Sequence, residues 1–271
     1  MVWCLDFHAA YRCRHAGACC AAGWTIPFED GTVAARDADG ACIFLDGARH
    51  RCSIHRAHGV QALPLSCRMF PRVVLHDARG TFVSLSHFCP TAAGLLFDAA
   101  GDAAIVEAPP ALADVGALDG LDARREWPPL LRPRVLMDVE SYGRWEARAL
   151  ALLTRSASAP AETLAALEDV TARIAAWTPG SRPLPDVVDA SFDRHRLTGS
   201  AAGDDREQAA VRRWLAARLF AAWTAYQGDG LAATLAFLRA CLRTFEEEAD
   251  VDGNAREAIR RSDLRILHRR T

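Results

Sequence analysis

The sequence predicts an α+β protein in which a small, irregular, cysteine-rich metal-binding module with short hairpins precedes a mainly α-helical bundle. Three observations carry this reading. Eight of the nine cysteines (Cys4, Cys13, Cys19, Cys20, Cys42, Cys52, Cys67, Cys89) fall within the first 89 residues, and only Cys241 lies beyond them. Histidine follows the same division, with His8, His15, His50, His55, His58, His76 and His87 early and His195 and His268 late. From about Gly101 the composition turns to Ala, Leu, Arg and Glu, with apolar residues at helical spacing. The predicted units are a cysteine module over 1–98, an irregular connector over 99–134 that is rich in proline, and a helical bundle over 135–271.

In the first unit two hairpins are expected. Arg72-Val73-Val74-Leu75-His76 and Thr81-Phe82-Val83-Ser84-Leu85 flank Asp77-Ala78-Arg79-Gly80, a turn-forming sequence. Cys42-Ile43-Phe44-Leu45 and Arg51-Cys52-Ser53-Ile54 flank Asp46-Gly47-Ala48 in the same way. In the second unit a helix is predicted from about Val135 to Leu153. Another begins at Pro160 and runs to about Trp177 before Pro179-Gly180. Val211, Leu215, Leu219 and Trp223, four apart, mark a helix from about Asp205 to Gln227. Gly228-Asp229-Gly230 then breaks the chain before a stripe of Leu231, Leu235, Leu238, Leu242 and Phe245, and a short terminal helix closes an up-and-down arrangement. Cys241 lies close to that last stripe and reads as core.

Composition excludes several functions. Net charge is −2, which gives no electrostatic footprint for nucleic acid. All 32 basic residues are arginine, so lysine chemistry is absent. No apolar run approaches the roughly 18 residues needed to span a bilayer. The first residues lack the basic-then-apolar pattern of a secretory signal, and the expected location is the cytoplasm. Clustered thiols there bind metal or do redox chemistry more often than they form disulfides.

Hairpins bring distant cysteines together. Cys67 and Cys89 are nearly equidistant from the turn at Ala78-Arg79, so antiparallel pairing places both at its open end. The other hairpin brings Cys42 towards Cys52, and the Cys13, Cys19, Cys20 loop completes a set of three thiol-bearing loops. The candidate metal ligands are therefore Cys13, Cys19, Cys20, Cys42, Cys52, Cys67 and Cys89, with His15, His55 or His87 as further donors. No close C-x₂₋₄-C knuckles of the zinc-finger kind occur. The thiols outnumber what one tetrahedral zinc requires, which favours an iron–sulfur cluster and leaves zinc as the alternative. Arg68 is a candidate for binding a cofactor carboxylate, and Trp24 for shielding the site from water. No side chain is singled out as catalytic. Gly228-Asp229-Gly230 follows no strand and is no dinucleotide loop.

Five ordered blocks carry a family resemblance. Cys13-Arg14-His15-Ala16-Gly17-Ala18-Cys19-Cys20-Ala21-Ala22-Gly23-Trp24, Cys42-Ile43-Phe44-Leu45-Asp46 and Arg51-Cys52-Ser53-Ile54 resemble the YkgJ-type cysteine-cluster family. Leu63-Pro64-Leu65-Ser66-Cys67-Arg68-Met69-Phe70-Pro71-Arg72 and Leu85-Ser86-His87-Phe88-Cys89-Pro90 are especially similar to its flagellin lysine N-methylase branch. The resemblance covers about residues 11 to 93; Cys4 lies outside it. Many relatives carry a further cysteine where this chain has Arg14 to Ala18. The resemblance implies zinc or iron chelation. In the methylase branch it implies a four-iron cluster serving methyl transfer from S-adenosylmethionine to protein lysine. The competing expectation is a structural zinc or redox module whose helical half binds a protein partner.

Overall fold

A turn built by one side chain organises the sheet. The Asp77 carboxylate accepts the Arg79 backbone N–H at 2.7 Å, and Gly80 takes φ 142°, which closes the predicted hairpin. Its strands, Arg72–Asp77 and Gly80–Leu85, pair from Arg72 opposite Leu85 to Asp77 opposite Gly80. Strand Val2–Leu5 lies parallel to Gly80–Leu85 and antiparallel to Ile105–Glu107. Leu121–Asp122 pairs in parallel with Arg72–Asp77, which completes a mixed five-stranded sheet. The stretch expected as a connector thus supplies two sheet strands. These relations come from a computed structural model that describes residues 1–47, 51–113, 118–125, 128–155, 157–194 and 205–268.

The helices pack against this sheet. Val139–Arg155 begins after Asp138, whose carboxylate accepts the Ser141 N–H at 2.8 Å, and Val135–Leu136 is a short strand paired with Leu130–Arg132. Pro160–Ala175 starts on proline as expected. Leu184–Asp193, which the sequence reading passed over, follows Pro183. The predicted helix from Asp205 is capped by that side chain, but it stops at Leu219. Ala221 takes a left-handed φ of 55°, and Trp223–Tyr226 continues as a separate 3₁₀ turn. Leu231–Asp252 is the longest helix among the described residues. Gly230 before it has φ 66°, and a β-carbon there would sit 2.1 Å from the Leu130 carbonyl oxygen, so only glycine fits. Asn254 caps Ala255–Asp263, and Leu264–His268 forms a final wide turn.

The architecture is α+β with a continuous core. Leu5, Leu75 and Phe82 from the sheet belong to the same buried cluster as Trp145, Leu164, Trp214 and Leu238 from the helices. Cys241 is fully buried in that cluster. No helix of the described residues is long and apolar enough to cross a membrane.

The second expected hairpin is reduced. Leu45–Asp46 pairs with Arg51–Cys52 over two residues each, and Leu45 rather than Cys42 stands opposite Cys52. Ser53–His58 is helical instead of extended, because Cys52 begins a helix there. Ala48 and His50, and also His195, lie outside the described residues.

Candidate metal centre

Four separate chain segments bring sulfur to one cavity of about 310 Å³, whose walls include Cys13, Cys19, Cys20, Cys52, Cys67 and Cys89. Gly17, left-handed at φ 71°, turns the chain into the short helix Ala18–Ala21 and so presents Cys19 and Cys20. Cys52 and Cys89 each stand at the cap position of a helix, Ser53–His58 and Pro90–Asp98. Cys67 lies inside Leu65–Met69. Cys42 is not on the cavity wall; it packs beside Cys19, Cys20, Cys52 and Cys67, and its N–H donates to the Cys20 carbonyl at 2.9 Å. Cys4 is buried in its strand beside Tyr11 and Cys89.

The thiols form two groups. In the first, Cys20 hydrogen-bonds to both Cys19 and Cys52, which raises its own pKa and lowers theirs. Cys52 falls to about 6: the hydrogen bond from Cys20 is the largest cause, burial opposes it, and the N–H groups of His55 and Ile54 and the charge of His15 add to the lowering. Cys67 is pushed up to about 12 by burial and by the charges of Cys19, Cys52 and Cys42. The second group is Cys13, Cys89 and Tyr11, whose hydroxyl lies 3.9 Å from the Cys89 sulfur. Cys67 and Cys89 therefore share the cavity but face different neighbours. Among the described residues, no three or more His, Cys, Asp or Glu donors are arranged to hold a metal ion. The donor chemistry fits a thiophilic metal, since desolvated thiols from separate loops influence one another; ligation requires them to lose protons and close together.

Two imidazoles edge the cavity, with His15 Nδ1 3.1 Å from His55 Nδ1. Arg68 also lines it. Its Nη1 reaches Gln61 only at 3.4 Å, and its Nε is buried without a hydrogen-bond partner. Arg72 donates instead to the carbonyls of Leu112, Ala111 and Arg68, and clamps backbone. Trp24 is not a lining residue. It packs with Phe70 and His268, ring centroids 5.1 and 4.8 Å away, behind the thiol-bearing loops.

His87 lies off the cavity wall, in a buried network that sequence reasoning missed. His8 Nε2 is 3.2 Å from His87 Nε2, and the His87 backbone N–H donates to Asp263 at 2.5 Å. Trp214 Nε1 donates to the other Asp263 oxygen at 2.8 Å. Burial pushes the His8 pKa well down, helped by His87 and Arg218; burial also lowers that of His87, against the pull of Asp263. Both rings are neutral in the folded protein, whereas the unfolded chain protonates histidine near about 6.5. Their contribution is whole above that pH and is lost progressively as the pH falls towards the lower folded-state values. Stability by urea unfolding is expected to decline below pH ~6.5 by up to about 1.4 kcal/mol per pH unit for each histidine. His8→Gln should flatten the slope, and an equally steep profile in that variant would refute the assignment.

No family model matches this chain, and no curated protein or solved structure matches it either.

Proposed function

We propose that the cavity is a metal centre, in which Cys13, Cys19, Cys20, Cys52, Cys67 and Cys89 on its wall, with Cys42 packed behind them, provide the thiolate pool for an iron–sulfur cluster of the four-iron type. The observation that carries this reading is the meeting of six thiols from four segments at one cavity. Isolated core cysteines would have no reason to converge there. When bound, the cluster would supply a redox-active, sulfide-bridged iron site. The activity that fits the resemblance in residues 11 to 93 is methyl transfer from S-adenosylmethionine to protein lysine. The methyl group leaves the sulfonium for the lysine amine, giving S-adenosylhomocysteine and a proton. Arg68, with its buried unpartnered N–H, is the group to donate to the methionine carboxylate. Trp24 contributes by closing the back of the site.

One observation favours zinc as a second reading. The His15 and His55 nitrogens, 3.1 Å apart beside Cys52, match zinc's mixed nitrogen–sulfur ligation, and the helices would then serve a protein partner.

Anaerobically purified protein is expected to be brown, with stoichiometric iron and sulfide. Cys67→Ser should lose most of the metal, while Cys241→Ala, altered in the core, should keep it. Colourless protein with one tightly held zinc would decide for the second reading. Full metal retention in Cys67→Ser would remove this cysteine from the ligand set. Heat on titration with S-adenosylmethionine, reduced in Arg68→Gln, separates the methyl-transfer assignment from metal binding alone.

A further inference from the structure

A second cavity, of about 600 Å³, opens where helix Arg206–Leu219 ends against the sheet. Its volume is in the range of small-molecule sites. Val74, Phe220, Phe237 and Ile266 give it apolar walls, and Trp223 stands exposed at its edge. Its charged lining is unbalanced: Arg72 and Arg218 face a single acid, Asp119.

Arg218 is the decisive residue. Its side chain is only 3% exposed, yet its Nε has no hydrogen-bond partner. One Nη donates to the Leu85 carbonyl, and the other forms a long ion pair with Asp263 at 3.8 Å, so Nε is the donor left over. Asp263 already accepts from Trp214 and His87. Arg72, the other cation, spends its donors on neutral carbonyls. A buried guanidinium that lacks a full set of acceptors favours an anion. Apolar walls around it favour an anion with a hydrocarbon body.

We propose that this cavity binds an organic carboxylate with an apolar chain, its head held by Arg218 and its body against Phe220, Phe237 and Ile266. Octanoate is the probe, with 1-octanol as the uncharged control of equal length. Calorimetry on the full chain is expected to show one octanoate per protein, bound on the order of tenfold more tightly than octanol. Arg218→Gln should erase that preference. Ile266→Trp, which narrows the cavity without touching the guanidinium, should weaken both ligands alike. Cys67→Ser should leave octanoate binding unchanged, which separates this site from the metal centre. Equal affinity for the two probes, or no heat from either at millimolar ligand, would overturn the proposal. Those arms remain decisive if Arg218→Gln fails to fold.

Discussion

Asp263→Ala is expected to destabilise the protein by about 3–5 kcal/mol, the cost of removing one partner from a buried charged network. The carboxylate is fully buried and is the common acceptor for the Trp214 indole and the His87 backbone N–H. Its removal leaves both donors unmet and takes away the acid nearest Arg218. Asp263→Asn keeps an oxygen for the indole and should lose less. Burial alone would raise the Asp263 pKa, but Arg218 and the bonds from His87 and Trp214 hold it at about 2. This stabilisation is present above the ordinary carboxylate value of about 3.9 and is lost as the pH falls through the folded-state value. Chemical unfolding of both variants at neutral pH is the check. A loss below about 1 kcal/mol in the alanine variant would mean that water replaces the carboxylate at little cost.

Arg79→Met should cost a similar amount, about 3–5 kcal/mol, for the same physical reason at another junction. The guanidinium donates to Asp77 at 2.8 Å and to Glu146 at 2.7 Å, and lies 4.4 Å above the Phe82 ring. Glu146 is fully buried and Asp77 nearly so, and they also accept from the Ala221 N–H and the Tyr226 hydroxyl. Methionine preserves much of the stem but leaves two buried carboxylates without a counter-charge. Combining Arg79→Met with Glu146→Gln should recover part of the loss, because one of those charges is then gone. A strictly additive double variant would show that the two side chains do not act as a unit.

The hairpin Arg72–Leu85 was legible because its turn residues and β-branched strands act locally, and the helices from Pro160 and Leu231 were legible for the same reason. Convergence of the cysteines could be argued from hairpin symmetry. Their division into a Cys20 group and a Cys89 group could not, because it depends on how the Ser53–His58 and Pro90–Asp98 helices aim their caps. Strand Val2–Leu5 has no local signature, since its partners lie far along the chain and four residues carry no readable period. His8, Arg218 and Asp263 were invisible as a set for the same reason: each is unremarkable among its neighbours, and only the fold assembles them. The spacing predicts the helix from Asp205 too long because Trp223 continues the apolar stripe, while the backbone reversal at Ala221 has no composition signal.

Strand Val2–Leu5 occupies an interior position in the sheet, and its two neighbours are Gly80–Leu85 and Ile105–Glu107. Both ladders join segments far apart along the chain, so this part of the sheet forms only after long-range loop closure. His87 meets its carboxylate only when a residue 176 positions later arrives. The cysteine-bearing loops are therefore oriented by contacts of high sequence separation, which places this half of the molecule among the slow steps of folding.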